Sequence, residues 1–101
     1  MKLFIDTSDR KKIFLKVDDK VFEKESKTGS SQNLLEFIDT VLKKENVKLE
    51  DLTSIEVETG PGSFTGLRVG VSVAQALGWS LGIPVNGKDL TKGETIQIKY
   101  K

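Results

Sequence analysis

The stretch that decides the fold is GPGSFTGLRVG, at residues 60–70. It follows residues 54–59, in which apolar and acidic side chains alternate as they do in a strand with one buried face. It opens an almost uncharged segment that we predict to be helical over residues 63–81, with Gly82 as the residue that ends the helix. A glycine-rich turn that leads from a strand into a helix indicates an α/β domain.

The rest of the chain extends this pattern on both sides. Residues 2–25 alternate apolar and charged side chains around turn-forming residues, which predicts a three-stranded meander. An apolar stripe at helical spacing predicts a helix over residues 31–45, and a single helical turn is expected at residues 49–52. Residues 83–85 are predicted to form a short strand and residues 95–100 a last strand at a sheet edge. We therefore predict an α/β fold with a mixed sheet and right-handed crossovers between parallel strands.

The composition excludes several classes of function. A chain of 101 residues is typical of one domain, and this one contains no histidine and no cysteine. A Ser-His-Asp triad, a Cys-His pair, a zinc finger, a thiol redox centre and a disulfide framework are therefore impossible within it. The formal net charge of +1 gives no overall reason to bind nucleic acid or an anionic membrane. The charged first residues do not resemble a signal peptide, so a cytoplasmic protein is expected.

The glycine spacing in the loop permits two interpretations. Backbone N–H groups at a helix N-terminus can bind an anion, which makes phosphate binding by residues 60–66 one of them. The spacing Gly60-x-Gly62-x-x-x-Gly66 is, however, one residue too long for the dinucleotide fingerprint, and it lacks the Gly-Lys-Ser/Thr ending of a P-loop. Ser63 also stands one position too early for a nucleophile elbow. A tight strand-to-helix turn is the favoured interpretation.

The predicted second helix carries small residues four positions apart, at Gly66, Gly70, Ala74 and Gly78. Each glycine inside a helix destabilises it by about 0.5–1 kcal/mol relative to alanine, so we expect another helix to approach this glycine ridge closely. The helix is also apolar nearly all round, which indicates burial on more than one side. A membrane span is disfavoured because polar residues and glycines lower the hydrophobicity and Pro84 closes the segment early. We favour one face packed on the sheet and another on a partner protein over complete burial inside the domain.

Residues 60–70 resemble the signature of the TsaB (YeaZ) family, bacterial proteins required for the threonylcarbamoyladenosine modification of tRNA. Residues 3–8 (LFIDTS) resemble the opening strand of that family, residues 31–35 (SQNLL) the start of its first helix, and residues 83–85 (IPV) the strand after the signature helix. The resemblance covers residues 2–87. This combination is far more specific than an isolated glycine motif.

The resemblance implies a fold. It is the actin/Hsp70-like ATPase (ASKHA) fold, whose first domain, here residues 1–87, has a five-stranded sheet in the order 3-2-1-4-5. Family members continue with a further helix and a second domain of the same fold. Residues 88–101 do not resemble the family, and we expect them to add a short edge strand that caps the domain.

The resemblance also implies a role and partners. The family acts as a non-catalytic subunit that binds and supports the enzyme TsaD, which modifies adenosine 37 of tRNA, and the ATPase TsaE joins the complex. Neither a metal nor a catalytic residue is expected, and ATP or ADP is expected only at an interface with a partner. Contact with tRNA is expected to be indirect. A homodimer through the same surface is the expected assembly in isolation.

Two sets of candidate site residues follow from the resemblance. The family's dimer contact uses the first two helices of the domain, so the predicted partner interface consists of Leu34, Leu35, Ile38, Leu42, Phe64, Leu67, Arg68, Gly70, Val71, Ala74, Gln75 and Gly78. The first strand end and the glycine loop give the nucleotide-proximal residues, which are Asp6, Thr7, Ser8, Gly60, Gly62 and Ser63. Two alternative functions remain open: a small nucleotide-binding or hydrolysing domain that uses residues 60–66, and a homodimeric structural remnant.

Overall fold

The first half of the chain builds most of the sheet. The computed structural model describes residues 1–25 and 31–99. Strand β1 (Lys2–Asp6) pairs antiparallel with β2 (Lys12–Val17), which pairs antiparallel with β3 (Lys20–Glu25). The predicted three-stranded meander is therefore confirmed.

The second half of the chain alternates helix and strand. Helix α1 (Ser31–Lys44) leads through a 3₁₀ turn at Leu49–Asp51 into β4 (Ser54–Val57), which pairs parallel with β1. Helix α2 (Phe64–Leu81) follows, and a second 3₁₀ turn lies at Leu90–Lys92. The sheet order is β3-β2-β1-β4, and the predicted mixed α/β fold is confirmed.

One face of the sheet carries the core. Leu3 of β1 stands opposite Val17 of β2 and Ile55 of β4, and all three side chains are buried. The apolar stripes of α1 and α2 belong to the same core, as their helical spacing predicts. Side chains alternate across a strand, so the opposite face carries charges such as the ion pair between Lys2 and Glu56 (3.5 Å). The sheet is packed on one side and wet on the other.

Helix α2 has a defined residue at each end. The Ser63 side chain accepts a hydrogen bond from the Gly66 N–H at the start of α2. Gly82 ends the helix in the left-handed conformation (φ 68°), which glycine adopts without a steric penalty. No helix in the described part of the chain is both long and apolar enough to cross a membrane.

Helix α1 begins and ends close to the predicted positions. Ser31 is its first residue. Its last turn carries Lys43 and Lys44, whose positive charge interacts favourably with the helix dipole. Asn46, just beyond, adopts the left-handed conformation (φ 56°) that asparagine tolerates at such an end.

The described part of the chain forms four strands, so the predicted five-stranded order is not confirmed. Residues 83–85, predicted as a strand, contribute isolated bridges instead: Val85 forms a parallel bridge with Ile55 and an antiparallel bridge with Lys88. Pro84 has no N–H to donate to a ladder. Asn86 turns the chain in a left-handed conformation (φ 51°), so the extended run ends after Val85.

The side chain of Asn86 closes the outer edge of β4 beyond the bridge to Ile55. Its Oδ1 atom accepts a hydrogen bond from the Val57 N–H (2.8 Å), and its Nδ2 atom donates to the Val57 carbonyl (3.1 Å). A side-chain amide has the same donor and acceptor pair as a peptide group. Asn86 therefore satisfies the main-chain groups that a further strand would otherwise pair.

The predicted strand at residues 95–100 is wrong for the part of it that the structure describes. Residues 95–99 form no strand, and Tyr100 lies outside the described residues. Residues 93–97 line an open cavity of about 560 Å³ together with Thr59 and Asn86. Among the described residues, a single main-chain bond joins this segment to the end of β4, from the Lys99 N–H to the Thr59 carbonyl, whereas a ladder needs a series of such bonds.

The glycine ridge of α2 faces the end of β1 instead of another helix. A Cβ at Gly66 would collide with the Thr7 carbonyl oxygen and a Cβ at Gly70 with the Thr7 hydroxyl, while Gly78 lies against Val85. Thr7 donates its hydroxyl hydrogen to the Gly66 carbonyl (2.6 Å) and is only 4% exposed. The expectation that a second helix approaches the glycine ridge is therefore wrong, because the chain itself fills that space.

We expect Gly70→Ala to lower the free energy of unfolding by about 1–3 kcal/mol, because the new methyl group displaces the Thr7 hydroxyl and weakens its bond to Gly66. Urea denaturation followed by circular dichroism measures the change. Ser72→Ala, on the exposed side of the same helix, is the matched control and should change the value by less than about 0.5 kcal/mol. Equal stability of Gly70→Ala and the parent protein would contradict the close approach.

Candidate partner-docking surface

The predicted nucleotide-proximal residues come together at one end of the sheet. Ser63 donates its N–H to the Ser8 carbonyl (2.8 Å), and a Cβ at Gly62 would collide with Ser8. The loop after β4 thus lies against the chain that leaves β1, since parallel strands bring their carboxyl ends to the same edge. Asp6 accepts hydrogen bonds from the N–H and the hydroxyl of Ser8 (2.9 and 2.6 Å), so its carboxylate closes a local turn.

Two backbone N–H groups at the start of the glycine loop are bonded within the chain. The Glu58 carboxylate accepts the N–H groups of Thr59 and Gly60 (3.1 and 3.4 Å). Its negative charge repels an anion from the backbone donors that would have to hold it. This geometry favours a tight strand-to-helix turn over phosphate binding. Sequence reasoning misses Glu58, although an acidic residue directly before the loop is a readable signal.

The predicted partner-interface residues divide into a buried and an exposed group. The buried group packs inside the domain: Leu34, Ile38, Leu42, Leu67, Gly70, Val71, Ala74 and Gly78. The exposed or half-exposed group is Leu35, Phe64, Arg68 and Gln75. An apolar stripe at helical spacing marks the side of a helix that packs on its own sheet. Within this chain, the surface of the helix pair is therefore formed by the second group and its neighbours.

An uncharged groove runs between α1 and α2, and we call it the α1–α2 groove. It has a volume of about 520 Å³, and Leu35, which is 46% exposed, lines it from α1. From α2 it is lined by the exposed residues Ser72, Ala76 and Ser80. Small side chains four positions apart leave a shallow track along a helix, into which the side chains of another helix can pack.

Two aromatic side chains are exposed on the same helix. Trp79 is 62% exposed and Phe64 is 56% exposed. The guanidinium carbon of Arg68 lies 5.4 Å from the centroid of the Phe64 ring, which is a cation–π contact. Arg68 is the only charged residue in the sequence of α2. Exposed aromatic groups beside an uncharged groove are typical of protein–protein contacts.

Sequence reasoning misses Ser72, Ala76, Trp79 and Ser80. The sequence signal that could identify the track is a second series of small residues, Ser72, Ala76 and Ser80. This series is offset by two positions from the glycine ridge. Two positions correspond to more than half a helical turn, so the two series lie on opposite sides of α2. The side with glycines is buried, and the side with serine and alanine faces outwards.

Comparison with solved structures defines the class of protein. The structure described as YeaZ from Pseudomonas aeruginosa matches with a TM-score of 0.71 and 29% sequence identity, over 83% of this chain and 41% of that chain. A second structure from the same organism, described as an uncharacterized protein with similarity to peptidase YEAZ, matches with a TM-score of 0.68 and 29% identity, over 83% of this chain and 40% of that chain. These neighbours fit an ASKHA-like α/β fold.

Sequence comparison then gives the family. The family model described as "TsaD: tRNA N6-adenosine threonylcarbamoyltransferase" matches residues 21–88. The tRNA threonylcarbamoyladenosine biosynthesis protein TsaB of Bacillus subtilis (strain 168) is 54% identical over 37 residues, or 37% of this chain and 16% of that protein. TsaB of Escherichia coli (strain K12) is 33% identical over 57 residues, or 56% of this chain and 25% of that protein. The chain belongs to the TsaB (YeaZ) family, as residues 60–70 predict.

The match covers a limited part of each relative. TsaB of Buchnera aphidicola subsp. Baizongia pistaciae is 37% identical over 62 residues, which are 61% of this chain and 28% of that protein. The chain therefore spans between a sixth and a third of the curated relatives' length in these alignments. Family membership and fold are shared, and the activity of the whole relatives is a separate question.

Trp79 is the only tryptophan in the chain, so the intrinsic tryptophan fluorescence reports on the exposed side of α2. Because its side chain is 62% exposed, we expect a fluorescence emission maximum typical of tryptophan in water and strong quenching by acrylamide. Docking of a partner beside the groove should shift the emission to shorter wavelengths and reduce the quenching. A blue-shifted, weakly quenched spectrum from a monomeric sample would contradict the described exposure.

Proposed function

We propose that this chain acts as a non-catalytic accessory subunit in the threonylcarbamoylation of adenosine 37 of tRNA. In this role it binds a TsaD partner through the α1–α2 groove and supports that enzyme, with TsaE joining the same complex. The names of the curated relatives, which refer to threonylcarbamoyladenosine biosynthesis, support the pathway. Contact with tRNA takes place through the partner.

The observation that carries the proposal is the exposed, uncharged side of α2. Leu35, Ala76 and Trp79 present apolar surface to solvent in a region whose only charge on α2 is Arg68. Burial of such surface stabilises a complex by roughly 25 cal/mol per Å² before the losses of freedom on association are subtracted. A large exposed aromatic residue such as Trp79 is the kind of side chain that dominates binding energy at interfaces.

The geometry favours a helical partner. Ser72, Ala76 and Ser80 form a straight track along α2, and Leu35 borders it from α1. A helix whose side chains enter this track would complete a helix-on-helix layer, in which small residues permit a short distance between axes. The same surface provides the homodimer contact when the partner is absent.

The chain's own chemistry supports an accessory role. The sequence has no histidine or cysteine, so the 101 residues of this chain supply neither an imidazole base nor a thiolate nucleophile. The Asp6 carboxylate is held by Ser8, and the Glu58 carboxylate by the loop amides. Both carboxylates stabilise turns in the described structure.

We expect Ala76→Arg to weaken binding to TsaD from the same cell by at least about tenfold, because a long charged side chain fills the track and its burial would be unfavourable. Isothermal titration calorimetry with purified TsaD measures the affinity, and formation of the modified nucleoside in tRNA measures the consequence. The matched control is Val21→Arg on β3. The native side chain is 65% exposed and stands beside Lys16 on the wet face of the sheet, the face opposite the two helices.

The two variants separate binding from folding. Both should retain a free energy of unfolding within about 0.5 kcal/mol of the parent protein, since both positions are exposed. The expected pattern is loss of binding and of modified tRNA for Ala76→Arg alone. Unchanged affinity of Ala76→Arg, or equal loss in both variants, would overturn the proposed surface.

A further inference from the structure

The chain that follows α2 returns to the end of β4 and touches the glycine loop. We call residues 94–99 the strap. The Lys99 N–H donates to the Thr59 carbonyl (2.6 Å). Ile96 and Ile98 are half-buried and pack against the core. The strap is therefore attached by this main-chain bond, by two apolar side chains and by the Glu94 carboxylate, which accepts a hydrogen bond from the Asp89 N–H (2.7 Å).

Gly60 is the residue against which the strap rests. Its φ of 119° lies in a region that residues with a side chain rarely adopt. A Cβ at this position would collide with the Lys99 carbonyl oxygen, and it would lie 3.3 Å from the Leu67 Cδ1 atom. The Lys99 carbonyl oxygen thus fills the space beside Gly60 that a side chain would need, and Leu67 of α2 borders the same space.

Leu67 connects this contact to the docking surface. It is fully buried in the second turn of α2, three positions after Phe64 and directly before Arg68. Phe64 and Arg68 form the N-terminal end of the exposed side of α2. A change in the position of the loop therefore moves the backbone that presents these two side chains.

The strap can open without unfolding the domain. Residues 93–97 line an open cavity of about 560 Å³ together with Thr59 and Asn86, and the main-chain bond from the strap to Thr59 is made by Lys99 at its far end. Segments with few buried contacts open locally at a free energy below that of global unfolding. By contrast, Thr7 and the core side chains hold the middle of α2.

We propose that the strap is a positioning element for the docking surface: by pressing on Gly60, it fixes the start of α2 and so orients Phe64 and Arg68 for the partner. The inference rests on the proposed function, because it concerns affinity for the same partner. The strap acts through the loop and Leu67. The closed strap corresponds to the binding-competent arrangement, and the open strap to a weaker one.

Lys99→Pro tests the inference, because proline has no N–H to donate to Thr59. In the full chain, we expect the dissociation constant for TsaD to rise about three- to tenfold, as for other residues that act on a binding site through a neighbour. Amide hydrogen exchange should become faster over residues 60–67 and stay unchanged at Val41, which is buried in α1. Lys99→Ala keeps the N–H and is the matched control, which should behave as the parent chain.

The possible results separate the inference from the proposed function. If the parent chain does not bind TsaD, the proposed function is wrong and the inference fails with it. If the parent chain binds and Lys99→Pro binds equally well, the inference alone is overturned. The same holds if Lys99→Ala weakens binding as much as Lys99→Pro, since the side chain and not the strap contact would then be responsible. Should Lys99→Pro not fold, Ile98→Ser loosens the strap at its apolar attachment and takes its place.

Discussion

The hydroxyl of Thr7 joins two parts of the chain that lie 59 residues apart in sequence. It follows the central strand β1 and donates to the Gly66 carbonyl inside α2, where a buried hydroxyl without a partner would be unfavourable by about 1–3 kcal/mol. Gly66 and Gly70 have no side chain, and this lets the helix come close enough for the bond to form. The distance of α2 from the sheet depends on this contact, and so does the choice of which side of α2 remains exposed.

The glycine spacing in α2 shows which structural contacts the sequence predicts and which it does not. A series of small residues four positions apart predicts a close approach, and the structure has one. The sequence does not reveal which group approaches, because Thr7 is distant along the chain and a turn threonine carries no local signal of its packing. The helix and strand positions, in contrast, follow from local periodicity, and the meander, β4 and both helices lie close to their predicted bounds.

The candidate surface was harder to predict for a physical reason. The stripe that contains Leu34, Ile38 and Leu42 has the periodicity of a buried face, and periodicity alone does not distinguish burial in the domain from burial under a partner. The exposed track of Ser72, Ala76 and Ser80 has small side chains of mixed polarity, which give a weak hydrophobic signal. Only the placement of α2 on the sheet shows that this track faces outwards. The family resemblance points to this pair of helices, and the structure shows which of their residues are exposed.

The way in which Asn86 closes the edge of β4 affects which sequence changes the sheet can tolerate. One side-chain amide occupies the donor and the acceptor of Val57, and the main chain of Pro84 and Asn86 pairs with Ile55, so three consecutive residues close the edge of β4 in place of a continuous strand. Insertions, deletions or exchanges after residue 86 therefore need not preserve alternation, length or pairing register for the sheet to keep its four strands.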